Sequence, residues 1–150
     1  MIANKLKELG IELPAAVAPA FQYVPVTVHE RLAFVSGQLP RHGEQLITGK
    51  LGADVAMEQG KQAARLCILQ ALSCLNSALG SLDRIEKILK ITGFVASAAN
   101  FNQQPTVIDA ASELLGQIFG EAGRHARSAV GVAELPRNAA VEIELIVALR

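Results

Sequence analysis

The stretch that decides the fold is Arg124 to Arg150, RHARSAVGVAELPRNAAVEIELIVALR. Its first part, Arg127-Ser128-Ala129-Val130-Gly131-Val132-Ala133, sets small residues against valines at period 2, the repeat of a β-strand. Leu135-Pro136-Arg137-Asn138 breaks the pattern, because Pro136 has no N–H for a ladder and Asn138 suits a turn. A second strand then puts Val141, Ile143, Leu145, Val147 and Leu149 on one face. Its other face carries Ala140, Glu142, Glu144, Ile146 and Ala148. Two carboxylates on an otherwise apolar strand need solvent or partners, since an unpaired buried carboxylate is costly. Arg127, on the strand before, is the expected partner.

Upstream, Ile2, Leu6 and Leu9 have helical spacing, and Gly10 is a stop. Residues 11–20 contain Pro14 and Pro19 and read as an extended lead-in. Gln22 to Val28 and Leu32 to Gly37 are strand-like, with His29-Glu30-Arg31 as a tight hairpin between them. Pro25 keeps the first of these at an edge or in a bulge. Pro40 to Gly52 reads as a polar loop, after which Asp54 is placed to cap a helix running to Leu79 and ended by Gly80. Along it Ala64, Cys67, Ile68, Ala71, Leu75 and Ala78 repeat at helical spacing. Ile85 to Ser97 follows as a long strand, apolar on both faces toward its end and so expected to be central. A second helix is expected from Thr106 to Phe119, ended by Gly120 and Gly123. The order ββαβαββ implies an α+β fold: one sheet with two helices on the same face. The opposite face, assigned Glu142, Glu144, Ala129, Gly131 and Ala133, is too small and mixed to form a core alone. Packing of several copies about an axis would bury it.

The totals bound the function. A chain of 150 residues fits one domain with a real core. With 51% apolar but only 4% aromatic residues and no Trp, that core must be aliphatic. Fourteen basic and fourteen acidic residues cancel, so nothing general draws the chain to nucleic acid or to an anionic membrane. No apolar run reaches the roughly 18 residues of a membrane span. The charged N-terminus does not read as a secretory signal. Cys67 and Cys74 lie two turns apart on one helix, too far for a disulfide. Buried thiols in a cytoplasmic protein are expected. The zinc, nucleotide and nucleophile-elbow motifs are absent, and no cofactor is expected.

The ordered set Arg127-Ser128, Leu135-Pro136 and Val141-Glu142-Ile143-Glu144 resembles the C-terminal signature of the Rid/YjgF family of reactive imine and enamine deaminases, historically labelled endoribonuclease L-PSP. Ser36-Gly37-Gln38-Leu39-Pro40 resembles the family's Ser-Gly-Gln segment, and Tyr23 stands thirteen residues before Ser36, where the family commonly has a tyrosine. The resemblance spans residues 20–150 as a Rid-like α+β domain, with residues 1–19 as an N-terminal helix and lead-in. It implies a chorismate-mutase-like fold, a homotrimer with sites between subunits, and hydrolysis of 2-imino acids to 2-keto acids and ammonia.

By the same resemblance, Arg127 holds the substrate carboxylate, Glu142 handles the attacking water, and Tyr23, Ser36 and Gly37 line the pocket. A guanidinium suits the first task because its planar donors match a carboxylate at two points. A carboxylate within reach of water suits the second. Glu144 reads as structural, and the alternative for Arg127 is an ion pair with Glu142 or Glu144. The chain departs from the family at two positions. Ala129 stands where many members have cysteine, and Asp109 falls nearest to a ligand-contacting asparagine. An acceptor-only carboxylate at Asp109 would repel a carboxylate substrate. His125 reads as a surface or packing residue. The rivals are a non-catalytic metabolite-binding trimer, supported by Ala129 and Asp109, and a ribonuclease, disfavoured by the neutral charge and the lack of an aromatic-basic stripe.

Overall fold

The C-terminal strand forms the middle of the molecule because it is paired along both edges. The computed structural model describes residues 1–16 and 22–150. Its elements are α1 (Ile2–Glu8), β1 (Val26–His29), β2 (Leu32–Gln38), β3 (Arg41–His42), β4 (Gln45–Leu46), α2 (Met57–Leu79), β5 (Ile85–Ala96), α3 (Gln104–Phe119), β6 (Ala126–Val132) and β7 (Val141–Leu149). Five strands make one sheet in the order β1-β2-β7-β5-β6, with β3 and β4 a separate small hairpin. Only β5 and β6 run parallel, and α3 is the crossover that such a pair requires. This is the α+β order expected, with β5 inside the sheet and β1, just after Pro25, at its edge. Residues 17–20 of the expected lead-in lie outside the described residues, and the expected first strand begins only at Val26, with residues 22–25 not in a strand.

Register explains the core. Val141, Ile143, Leu145, Val147 and Leu149 of β7 are all buried, as are Ile88, Ile91 and Val95 of β5. Cys67, Ile68, Ala71 and Leu75 of α2 and Val107, Ile108, Ala111, Leu114 and Leu115 of α3 belong to the same cluster. The Cys67 thiol points at the Val141 carbonyl at 3.6 Å, and burial pushes its pKa well above the usual thiol value. Cys67 and Cys74 are both free and buried.

Four local expectations are corrected. Asp54 does not cap α2. Its carboxylate accepts the Lys50 N–H at 3.1 Å, while a bridge from Leu51 to the buried Val55 delays the helix. The N-cap is Ala56, whose own N–H is taken by Gln59 at 3.0 Å. Helix α3 starts at Gln104 rather than at Thr106, because Pro105 in the first turn has no N–H to leave unsatisfied. The loop after Pro40 contains the β3–β4 hairpin. Finally, Ala129 and Gly131 pair with Gly93 and Val95, so they lie on the helix-covered face of the sheet and not on its open face. The stop at Gly80 is as expected, with φ +81°.

The N-terminal segment is strapped to the helical layer. Leu6 joins the core, the Ile2 N–H donates to Asp83 at 2.8 Å, and the Ser73 hydroxyl donates to the Pro14 carbonyl at 2.5 Å. Among the described residues no helix is long and apolar enough to cross a membrane.

Gly93 sets how closely α3 approaches β5. A Cβ there would meet Ile108 Cδ1 at 2.5 Å, and Ile108 is fully buried with nowhere to move. Gly93→Ala is expected to cost about 1–3 kcal/mol by overpacking. Gly116→Ala, on the exposed side of α3 with nothing within 4 Å, is expected to add about 0.5–1 kcal/mol. Urea midpoints of the two variants check these opposite signs.

Candidate functional site

Side-chain parity decides what Arg127 can touch. Arg127 on β6 registers with Ile91, and Ile91 registers with the buried Leu145, so its side chain leaves the sheet on the helix side. Glu142 and Glu144 register with Phe94 and Thr92 and therefore point to the open side. The ion pair expected between Arg127 and these carboxylates is accordingly not formed. Arg127 turns to α3 instead: Nη1 donates to Asp109 Oδ1 at 2.8 Å and to Ser112 Oγ at 3.2 Å. Asp109 and Ser112 are three apart on a helix and so share a face.

His125 completes this group. One ring nitrogen, Nδ1, lies 2.6 Å from the Gly123 carbonyl, and the other, Nε2, lies 2.9 Å from Ser112 Oγ. A carbonyl can only accept, so Nδ1 carries the proton. In the neutral ring Nε2 then accepts the Ser112 hydroxyl, whose oxygen in turn accepts Arg127. The chain of bonds runs from a backbone carbonyl to the guanidinium and holds the latter in place. The sequence alone reads His125 as a surface or packing residue, and nothing in it singles out Ser112. The only signal for the serine was its helical spacing from Asp109, which is too common to carry weight.

Asp109, Ser112, Gly116, Arg124, His125 and Arg127 line an open cleft of about 370 Å³. A guanidinium has five N–H donors, and Nη1 spends both of its own on Asp109 and Ser112. The Nε and Nη2 edge has no partner among the described residues. That edge is a planar fork suited to a carboxylate. Ala129 packs against the core and is not part of this cleft.

The remaining expected residues gather on the opposite face. Strand β2 bulges between Val35 and Gln38, so that Ser36 and Gly37 together face one residue of β7. The Glu142 carboxylate lies over Gly37, where any Cβ would collide with it. Ser36 donates its hydroxyl to the Val24 carbonyl at 2.8 Å, which ties down the segment after the exposed Tyr23. Burial pushes the Glu142 carboxyl above its usual pKa, and the neighbouring Glu144 adds to the rise. Arg127 does not offset it, being on the other side of the sheet. Ser36 and Glu144, with Phe34, Lys90, Thr92 and Ile146, also border a groove of about 260 Å³ on the open face.

An α+β sheet with two helices on one side, an Arg-Ser strand at its edge and a Glu-containing strand two places further in defines a recognisable class. The sequence matches the family described as "YjgF/chorismate_mutase-like, putative endoribonuclease" over residues 3–149, and the chain belongs to that family, also called Rid. It is 47% identical to Protein TCP17 of Trypanosoma cruzi, over 99% of this chain and 94% of the relative. Its structure is similar to that of Atu1372 from Agrobacterium tumefaciens, a protein of unknown function. The TM-score is 0.92 at 45% identity, covering 99% of this chain and 92% of the other. At 30% identity, over 93% of this chain and 94% of the relative, it is similar to a 2-iminobutanoate/2-iminopropanoate deaminase of Dermatophagoides farinae.

The raised pKa of Glu142 has a definite sign. Between its unfolded and folded values the native state holds the extra proton, so stability falls as pH rises through that window. Glu142→Gln is expected to flatten this slope. Urea midpoints across the mildly acidic range check it, and carbon-detected titration of the Glu142 carboxyl reads the raised value directly.

Proposed function

We propose that this protein is a cofactor-independent deaminase that hydrolyses small 2-imino acids to 2-keto acids and ammonia. The observation that carries this reading is Arg127 at the border of an open cleft, held through Nη1 by Asp109 and Ser112 while its Nε/Nη2 edge has no protein partner among the described residues. A ligand carboxylate is the chemistry that edge fits. The 30% identity to an iminoacid deaminase supports the same conclusion.

Arg127 holds the carboxylate, and Glu142 takes a proton from the water that attacks the C=N carbon. The raised pKa of Glu142 makes it a better base than an ordinary carboxylate once ionised. Ser36, Gly37 and Tyr23 wall the Glu142 side. Because the imine is already electrophilic, positioning supplies most of the rate. In one chain Arg127 and Glu142 lie on opposite faces of the sheet, with β5 between their strands. A working site therefore joins the Arg127 cleft of one copy to the Glu142 face of another, as in a homotrimer with sites between subunits. Phe34 and Val130, each 43% exposed on the open face, would be covered by such packing.

One observation favours a second reading, a metabolite-binding protein without turnover: Asp109 already occupies one end of the guanidinium. Both readings take a small carboxylate-bearing ligand.

A coupled assay separates them. An amino-acid oxidase generates 2-imino acids, semicarbazide traps what survives, and loss of trapped product reports deamination. Wild type is expected to suppress trapping. Arg127→Ala is expected to lose at least about tenfold in kcat/KM, and Glu142→Gln about a hundredfold in kcat, each with its oligomeric state unchanged. Wild type that binds but does not turn over any imine would establish the second reading.

A further inference from the structure

The donor count at Arg127 suggests what kind of ligand the cleft selects, and this inference rests on the carboxylate-binding reading above. Asp109 contacts Arg127 through Oδ1 on Nη1 alone. Its other oxygen, Oδ2, has no partner among the described residues, and the side chain is 59% exposed at the mouth of the cleft. Arg127 and Asp109 border the same cleft, and each keeps a polar edge that no described residue takes up. They offer a site for a negative group and a site for a positive one. An anion without a positive group would gain the first and be repelled by the second.

We propose that Asp109 and Arg127 together form a zwitterion site: the Nε/Nη2 edge of Arg127 takes the ligand's carboxylate, and Asp109 takes its protonated nitrogen. Asp109 is then the specificity-determining residue, selecting the iminium form of a 2-imino acid over the 2-keto acid. The reaction itself enforces the difference. An iminium acid R–C(=NH2⁺)–COO⁻ and water give R–CO–COO⁻ and NH4⁺. The carbon–nitrogen bond breaks, the water oxygen becomes the ketone oxygen, and ammonium leaves with the positive charge. The product keeps the group that Arg127 holds and loses the one that Asp109 holds. Its carboxylate then faces Asp109 uncompensated, which favours release. Asp109, unfavourable toward a bare anion, is on this geometry the half that distinguishes substrate from product.

Binding of two stable probes to the purified full-length protein tests the proposal by calorimetry. 2-Aminobutanoate carries the paired charges of the iminium acid, and 2-oxobutanoate is the corresponding keto acid. Wild type is expected to bind the amino acid more tightly. Asp109→Asn, on the exposed face of α3, keeps the shape and removes the charge. It is expected to weaken the amino acid by about tenfold and to leave the keto acid unchanged or tighter. Arg127→Ala is expected to weaken both. An unchanged ratio in Asp109→Asn, a wild type that binds the keto acid at least as tightly, or a wild type that binds neither would overturn the proposal. If imine turnover persists while the ratio does not move, the zwitterion site falls and the deaminase reading stands. If the ratio moves but no imine turns over, the zwitterion site stands and the deaminase reading falls.

Discussion

Everything in this molecule depends on β7 being paired on both sides while its two faces meet different environments. Hydrogen bonds to β2 and β5 fix its register, and period-2 geometry then leaves no choice about where each side chain goes. Five aliphatic residues face the helices and are buried. Glu142 and Glu144 face the other way, where no described helix covers the sheet. A slip of one residue would bury both carboxylates in an aliphatic core, a cost of several kcal/mol or a forced protonation for each. Register is thus protected by the residues on its open face as much as by the aliphatics.

The same parity divides the candidate site into two halves. Arg127 is at an edge strand under α3, and Glu142 is on the open face beside the β2 bulge. The parallel β5–β6 pair is what puts α3 over Arg127, since the crossover helix must lie against the strand it feeds. That placement brings Asp109 and Ser112 to the guanidinium. On the other face the bulge delivers Gly37 beneath Glu142, so backbone and carboxylate approach closely where a side chain would prevent it. Under the proposed function each half is incomplete alone, and packing of a second copy would bring the two together and cover Phe34 and Val130 on the open face.

The Arg127 group also illustrates how small energies are spent. A partly exposed ion pair contributes only about 0–1 kcal/mol to stability, so the pairing of Arg127 with Asp109 does little to hold the fold together. Its effect is directional. With Nη1 tied to Asp109 and Ser112, and Ser112 tied through His125 to the Gly123 carbonyl, the guanidinium loses rotamer freedom before any ligand arrives. Pre-ordering of this kind lowers the entropy cost of binding.

Periodicity along single elements was legible without coordinates. The alternation of Val141 to Leu149, the helical stripe around Cys67 and Ile68, the glycine stop at Gly80 and the edge position after Pro25 all follow from local geometry, and the α+β order follows from their sequence. The residues of the family signature were legible for the same reason, since they sit at fixed places on such elements. What one-dimensional reading missed is where strands two positions apart in the sheet present opposite faces. It allowed an ion pair of Arg127 with Glu142 or Glu144 as an alternative and put Ala129 on the open side, because the parity linking β6 to β7 runs through β5 and through registers that no local pattern encodes. It treated Asp109 as a misfit and passed over Ser112 because the partner of both, Arg127, comes from a different element. Local propensity and alternation determined the elements; the register of three neighbouring strands and the helix packed across them decided which side chains meet.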